Sequence, residues 1–299
     1  MWGILCSGPA AVVVFFIISG FCIHFPYSGG AAFRAAPYLI RRYLRIGIPM
    51  AVAMLLADQA GLDSRVFFDA VLWTLIAELM YYTLYPGIRW FVRRFGLLAM
   101  ILGAFALSLI VVASNPLVKG YNVFGWQLNW LVGLPCWVLG VKLDDAWRHR
   151  ILATESGVST SRIWKWRLLV WAASSVCLAL NFHSPIGHAW SLGFFAVLAY
   201  AWIALEIRRA HSVRRPWKIL EWAGQWSYSL YLCHMIAARA YAGFGVLPEV
   251  GPIASWMIRI AFVLLMSYVF YLLIERPAHL VARRAAASLT SRLRNAGQT

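Results

Sequence analysis

Residues 89–114 read RWFVRRFGLLAMILGAFALSLIVVAS: three arginines in six positions, then eighteen residues from Leu97 to Ser114 without a charge. At 1.5 Å per residue, an apolar run of that length is close to what a helix needs to cross a bilayer. The basic cluster beside it is what a cytoplasmic flank looks like. The rest of the chain repeats this arrangement. Of its 299 residues 62% are hydrophobic and 13% charged, and the charges gather in short clusters between apolar runs. A soluble domain carries about twice that charged fraction. Sixteen Trp and thirteen Tyr suit the two interfaces, where an apolar ring sits beside a polar tip.

Apolar stretches lie at about Pro9–Phe25, Ile46–Leu56, Phe67–Ile88, Leu97–Ser114, Trp126–Val141, Leu168–Phe182, Ala189–Leu205, Trp226–Val246 and Pro252–Ile274. The second is short enough to be re-entrant, and loop charge decides the matter. If all nine cross, one side receives 23 of the 27 basic residues, leaving Arg65, Lys119, Arg239 and Arg259 on the other side or in the outer ends of spans. Cancelling the second crossing would put all but the first four of those 23 on the opposite face. The expected fold is therefore an all-α polytopic transmembrane helix bundle of about nine spans, N-terminus outside and C-terminus cytoplasmic. The net charge of +16 is on this reading a topology signal, with membrane lipids and no nucleic acid as its partner. The first stretch has no basic leader and reads as a retained span. The basic, Ala-rich segment after Glu275 is expected as a surface helix or a disordered end.

Cys6, Cys22, Cys136, Cys177 and Cys233 all fall in or beside apolar spans without ligand-like spacing, and are read as packing residues with no metal site. Ionisable groups at membrane depth are the first candidates for chemistry, because they cost several kcal/mol unless used. Glu78, in LWTLIAELMYY, is the one near the middle of a span, on a helical stripe with Thr74, Tyr81 and Tyr85. QWSYSLYLCHM places Ser227, Tyr231 and His234 on one face. An imidazole exchanges protons near neutral pH, so His234 is a candidate acid/base, with a structural hydrogen bond an equal alternative. His24, at the end of the first span, has the weaker claim, and His183 and His188 read as loop residues. YVFYLLIERP aligns Tyr268, Tyr271 and Glu275, the last an interfacial carboxylate or an anchor at a cytoplasmic mouth. In YLIRRYLRIGIP, Arg41 and Arg45, or Arg42 and Arg45, share a helix face suited to phosphates, or to anionic lipid.

FFIISGF with Ser19 and Gly20, RRYLRIGIP with Pro49, LWTLIAELMYY with Glu78, WSYSLYLCH with His234 and the closing IERP with Glu275 together resemble the acyltransferase-3 family of membrane O-acyltransferases, from about Val12 to Pro277. The resemblance implies residues 1–277 as a transmembrane acyltransferase-like domain and 278–299 as a basic cytoplasmic tail, in a bacterial inner membrane. It implies transfer of an acyl group, usually acetyl, from acetyl-CoA or another acyl-CoA to a hydroxyl of a carbohydrate or lipid-linked glycan, with no permanently bound cofactor. Glu78 and His234 would then be catalytic, Arg41, Arg42 and Arg45 would hold the CoA phosphates, and Ser19, His24, Tyr81, Tyr231 and Glu275 would complete the site. Family members have ten core helices, the first carrying an Arg and a His central to acyl transfer. Residues 1–11 contain neither, so the chain is expected to correspond to helices two to ten, shortened at its start. The competing classes are a transporter or flippase of lipid-linked glycan, using Glu78 as a coupling group, and a non-catalytic scaffold.

Overall fold

A computed structural model describes residues 7–30, 32–148, 158–212, 217–243 and 251–295. The order is α1 Gly8–Ser28, α2 Ala35–Gln59, α3 Ser64–Phe67, a π-helical turn Phe68–Leu72, α4 Trp73–Phe95, α5 Leu97–Ser114, a 3₁₀ turn Tyr121–Phe124 and α6 Gly125–Arg148. It continues with α7 Thr160–His183, α8 His188–Ser212, α9 Lys218–Gln225, α10 Ser227–Gly243, α11 Pro252–Phe270, a second π-helical turn Tyr271–Glu275 and α12 Arg276–Asn295. No strand occurs among the described residues. Local chemistry sets several ends. The Ser7 hydroxyl accepts from the Ala10 amide at the start of α1, and Asp63 accepts from the amides of Arg65 and Val66 at the start of α3. Gly96, at φ 90°, separates α4 from α5 in a conformation that other residues adopt only at a cost.

Each of the nine apolar stretches carries a helix over its described residues; residues 244–246 of the eighth stretch lie outside them. Six helical segments are long and apolar enough to cross a membrane: Gly8–Ser28, Ser64–Phe95, Leu97–Ser114, Thr160–His183, His188–Ala210 and Pro252–Asn295. The protein is an integral membrane protein. α2, α6 and α10 fill the remaining three stretches; α10 has only 17 residues, and the first two carry charge at one or both ends. The continuous helix Pro252–Asn295 has 44 residues, about 66 Å at 1.5 Å per residue and roughly twice the hydrocarbon thickness. The segment after Glu275 is thus a helix in direct continuation of the last span.

The chain forms two compact units, Met1–Phe33 with Ile76–Pro216, and Arg34–Leu75 with Trp217–Thr299. In the first, α6 is the central helix: every residue from Val132 to Val141 is buried, against α1, α5 and α8. α1 meets α6 through glycine. A Cβ on Gly20 would lie 2.0 Å from the Trp137 carbonyl oxygen, and one on Gly140 would lie 2.1 Å from that of Ile17, so the two backbones touch. α5, by contrast, buries only Ala104 and Val112 and presents a broad apolar face outward. In the second unit α2 packs on α12, α10 and the second π-helical turn, and α10 on α11. The α12 side of that contact is a stripe of small residues, Ala278, Ala282 and Ala286, one turn apart, and Arg34 donates to the Thr290 carbonyl oxygen at 3.2 Å.

Candidate active site

In the first unit Glu78 is 4% exposed, and its Oε1 accepts from the Ser19 hydroxyl of α1 at 2.9 Å and from the Tyr82 hydroxyl one turn along its own helix. Two hydroxyl donors answer the cost of burying a carboxyl group in an apolar interior. Ser19 and Glu78, named separately from two motifs, are thus in direct contact. Tyr82 was not among the expected residues, though its i+4 spacing from Glu78 was there to be read.

The other members of the α4 stripe go elsewhere. Tyr81 and Tyr85 are fully buried. The Tyr81 hydroxyl donates to the Trp130 carbonyl oxygen at 2.8 Å, fitting where Gly133 lacks a side chain. The Tyr85 hydroxyl lies 3.0 Å from His24 Nδ1. Thr74, in the second unit, shares a 2.8 Å hydrogen bond with the Tyr231 hydroxyl. Both hydroxyls also reach the Val71 carbonyl oxygen, in the first π-helical turn, at 3.0 and 3.1 Å. A stripe drawn by helical spacing thus divides among separate partners, because each side chain answers to the element opposite it.

His24 belongs to a group that sequence reading did not assemble. Its Nε2 is 3.9 Å from Oδ2 of Asp144 on α6, a carboxylate with no exposure. That oxygen accepts from the Ser28 hydroxyl and from Arg148 Nε at 3.3 Å. Arg148 also donates to the Phe25 carbonyl oxygen and Arg89 to that of Tyr27, so side chains of α6 and α4 satisfy carbonyls at the open end of α1. Asp144 was hidden in the cluster of Lys142, Asp145 and Arg148, which sequence alone treats as loop charge.

In the second unit His234 Nδ1 is 2.7 Å from the Tyr231 carbonyl oxygen. A carbonyl only accepts, so the Nδ1 carries hydrogen and Nε2 is the free acceptor of the neutral ring. Ser227 bonds the Gly224 carbonyl at the start of α10 and takes no part with His234. Glu275 is 1% exposed and accepts from both the amide and the hydroxyl of Ser229, and its other oxygen lies 3.6 Å from His279. Ser229 and His279 are thus its partners. The charges of Arg45, Arg41 and Arg42 all bear on the His279 ring, so the three arginines, Glu275 and His279 form one neighbourhood. His279 was also missed, lying in the segment read as a tail.

His188 is the first residue of α8 and 5% exposed, not an open loop residue, because its turn folds back so that its amide meets Asn181 Oδ1. Cys136, Cys177 and Cys233 are buried and Cys22 is exposed, none of the four is in a disulfide among the described residues, and Cys6 lies outside them. An apolar groove of about 870 Å³ between α7 and α8, lined by Leu169, Val176, Leu180, Trp190 and Phe194, contains none of the candidate groups.

Buried carboxyls held by hydroxyls, a histidine with a free nitrogen and an arginine cluster are an inventory suited to group transfer. Comparison with known proteins agrees. Nodulation protein 10 of Rhizobium leguminosarum bv. viciae is 25% identical, over 96% of this chain and 88% of its own length. No solved structure matches. A family model described as an acyltransferase domain matches residues 2–274, and the chain accordingly belongs to the acyltransferase-3 family and is an acyltransferase.

Proposed function

We propose that the protein moves an acyl group, acetyl in the first instance, from acyl-CoA at the cytoplasmic face to a hydroxyl of a carbohydrate or lipid-linked glycan. The observation that carries this is Glu78: a carboxyl group 4% exposed near the middle of a span, fixed by the Ser19 and Tyr82 hydroxyls in orientation. Acyl transfer to a hydroxyl requires a base to take its proton, and a carboxylate is a group that can do so. Within the second unit, His234, whose Nδ1 is held by the Tyr231 carbonyl oxygen, is a second candidate acid/base, while Tyr81 in the first unit and Tyr231 and Glu275 in the second hold the backbone around them. Arg41, Arg42 and Arg45 supply charge-assisted hydrogen bonds for the CoA phosphates. The charge count favours nine crossings, with the N-terminus outside and the C-terminus cytoplasmic, in a bacterial inner membrane.

Membranes containing the protein, given acetyl-CoA labelled in the acetyl group, should pass label to a glycan fraction. Label retained on CoA, with movement of unmodified glycan between leaflets, would replace the transferase reading by a flippase. Neither activity would leave a scaffold.

A further inference from the structure

The groove between α7 and α8 takes no part in the site described above. It holds about 870 Å³, within the range of roughly 300–1,000 Å³ usual for small-molecule sites. Its lining follows α7 from Leu169 to Leu180, about 17 Å at 1.5 Å per residue, and continues through Pro185 and Ile186 in the turn to α8. Cys177, Ser191 and Phe195 are buried and form its floor, while Leu169, Val176 and Phe194 stand exposed as its walls. The two polar side chains of the floor are spent inside the protein. The Ser191 hydroxyl donates to the Gly187 carbonyl oxygen at 3.1 Å, and Cys177 Sγ lies 3.9 Å from the Ser191 carbonyl oxygen. What is left to meet an occupant is hydrocarbon. A slot that follows the helix axis for more than half of a hydrocarbon core roughly 30 Å thick suits an extended chain.

Lys119 sits at the turn end of this slot. The Ala189 amide donates to its carbonyl oxygen at 3.0 Å, and a Cβ on Gly187 would lie 2.4 Å from its Cα, so its backbone is packed on the turn. Its Nζ donates to the carbonyl oxygens of Ser184 at 2.9 Å and Asn181 at 3.4 Å, the first of these next to Pro185 of the lining. Closing the C-terminus of α7 is the plain role of such a lysine. It engages two of the three ammonium hydrogens and leaves the charge without a counter-charge, since both partners are carbonyls. Residues 97–141 and 168–205 contain no Asp or Glu, and Lys119 is their only Lys or Arg. A lone cation at the rim of a hydrocarbon slot is complementary to an anion joined to a chain. We propose that the α7–α8 groove binds a phosphate-headed membrane lipid, its chain along the groove and its phosphate on Lys119. The site is independent of the part played by Glu78.

The test is photocrosslinking of the purified full chain in detergent with phosphatidic acid that carries a diazirine on one acyl chain, the adducts being mapped by peptide mass spectrometry. The outward apolar face of α5 serves as an internal control for ordinary lipid contact. Adducts should concentrate on the groove residues of α7 and α8. Unlabelled phosphatidic acid should compete at about a tenfold lower concentration than diacylglycerol of the same chains, the effect of one charge-assisted hydrogen bond. Lys119→Gln should abolish that preference and Lys119→Arg should keep it. Ala172→Phe, at an exposed position of the lining, should fill the groove and remove its adducts. Adducts as dense on α5 as in the groove, equal competition by the two lipids, or a preference unchanged in Lys119→Gln would each overturn the proposal. The comparison of the two lipids needs no variant, so it decides the matter even where a substitution fails to fold.

Discussion

Glu78 separates a packing role from a chemical one by the charge each requires. An amide at this position keeps the size and can still accept from Ser19 and Tyr82, so a purely structural carboxyl group would tolerate Glu78→Gln. A base would not, because the amide takes no proton. We expect Glu78→Gln to lower turnover by about 100-fold or more with expression and folding intact, measured as acetyl transfer per folded molecule. Near-normal turnover would return Glu78 to packing. Arg42→Ala and Arg45→Ala should each weaken acyl-CoA binding by about tenfold, since a hydrogen bond to a charged group contributes about 1.5–3 kcal/mol. Binding of CoA to detergent-purified protein measures this directly, and unaltered affinity in both variants would leave the arginines a topology role. What sequence reveals at this scale is residue type at depth: Ser19, Glu78 and the arginines stand out against an apolar background. Asp144, Tyr82 and His279 do not, for their burial is made by other helices, and no spacing along one helix records which neighbour it faces.

For whole elements the apolar stretches were legible because a bilayer demands length and hydrophobicity together. Helix ends were less so. α2 starts at Ala35, well before the apolar run at Ile46, because its first turns lie against the alanine stripe of α12 and its arginines face outward or into polar company. α9 was invisible for the same kind of reason, its eight residues carrying Lys218 and Glu221 inside what reads as a basic loop. The α2–α12 contact makes its own prediction. Ala282 is 1% exposed, so Ala282→Trp forces a large ring into a close helix pair and should destabilise it by about 1–3 kcal/mol. Thermal unfolding in detergent reads the loss, and an unchanged midpoint would show that α12 is not held on α2.

The molecule as a whole carries 27 basic and 11 acidic side chains, and their distribution along the sequence makes a topology prediction. Single cysteines placed after α1, α4, α6 and α8 should be blocked from impermeant thiol reagents in intact cells and labelled in inverted vesicles. External labelling of the position after α8 would overturn the nine-span arrangement. Such an experiment needs a cysteine-free background, and Cys136, fully buried in α6, is the position where replacement must keep volume most closely.

The contact between α1 and α6 has a consequence in genetics. Most damage to a packed interface can be repaired from the other side, a larger residue on one helix being offset by a smaller one opposite. At Gly20 and Gly140 the obstacle to any side chain is a main-chain carbonyl of the facing helix, and no codon removes it. Even alanine at either position should therefore defy local suppressors, and a search for revertants should recover only the original glycine or changes that separate the two helices altogether.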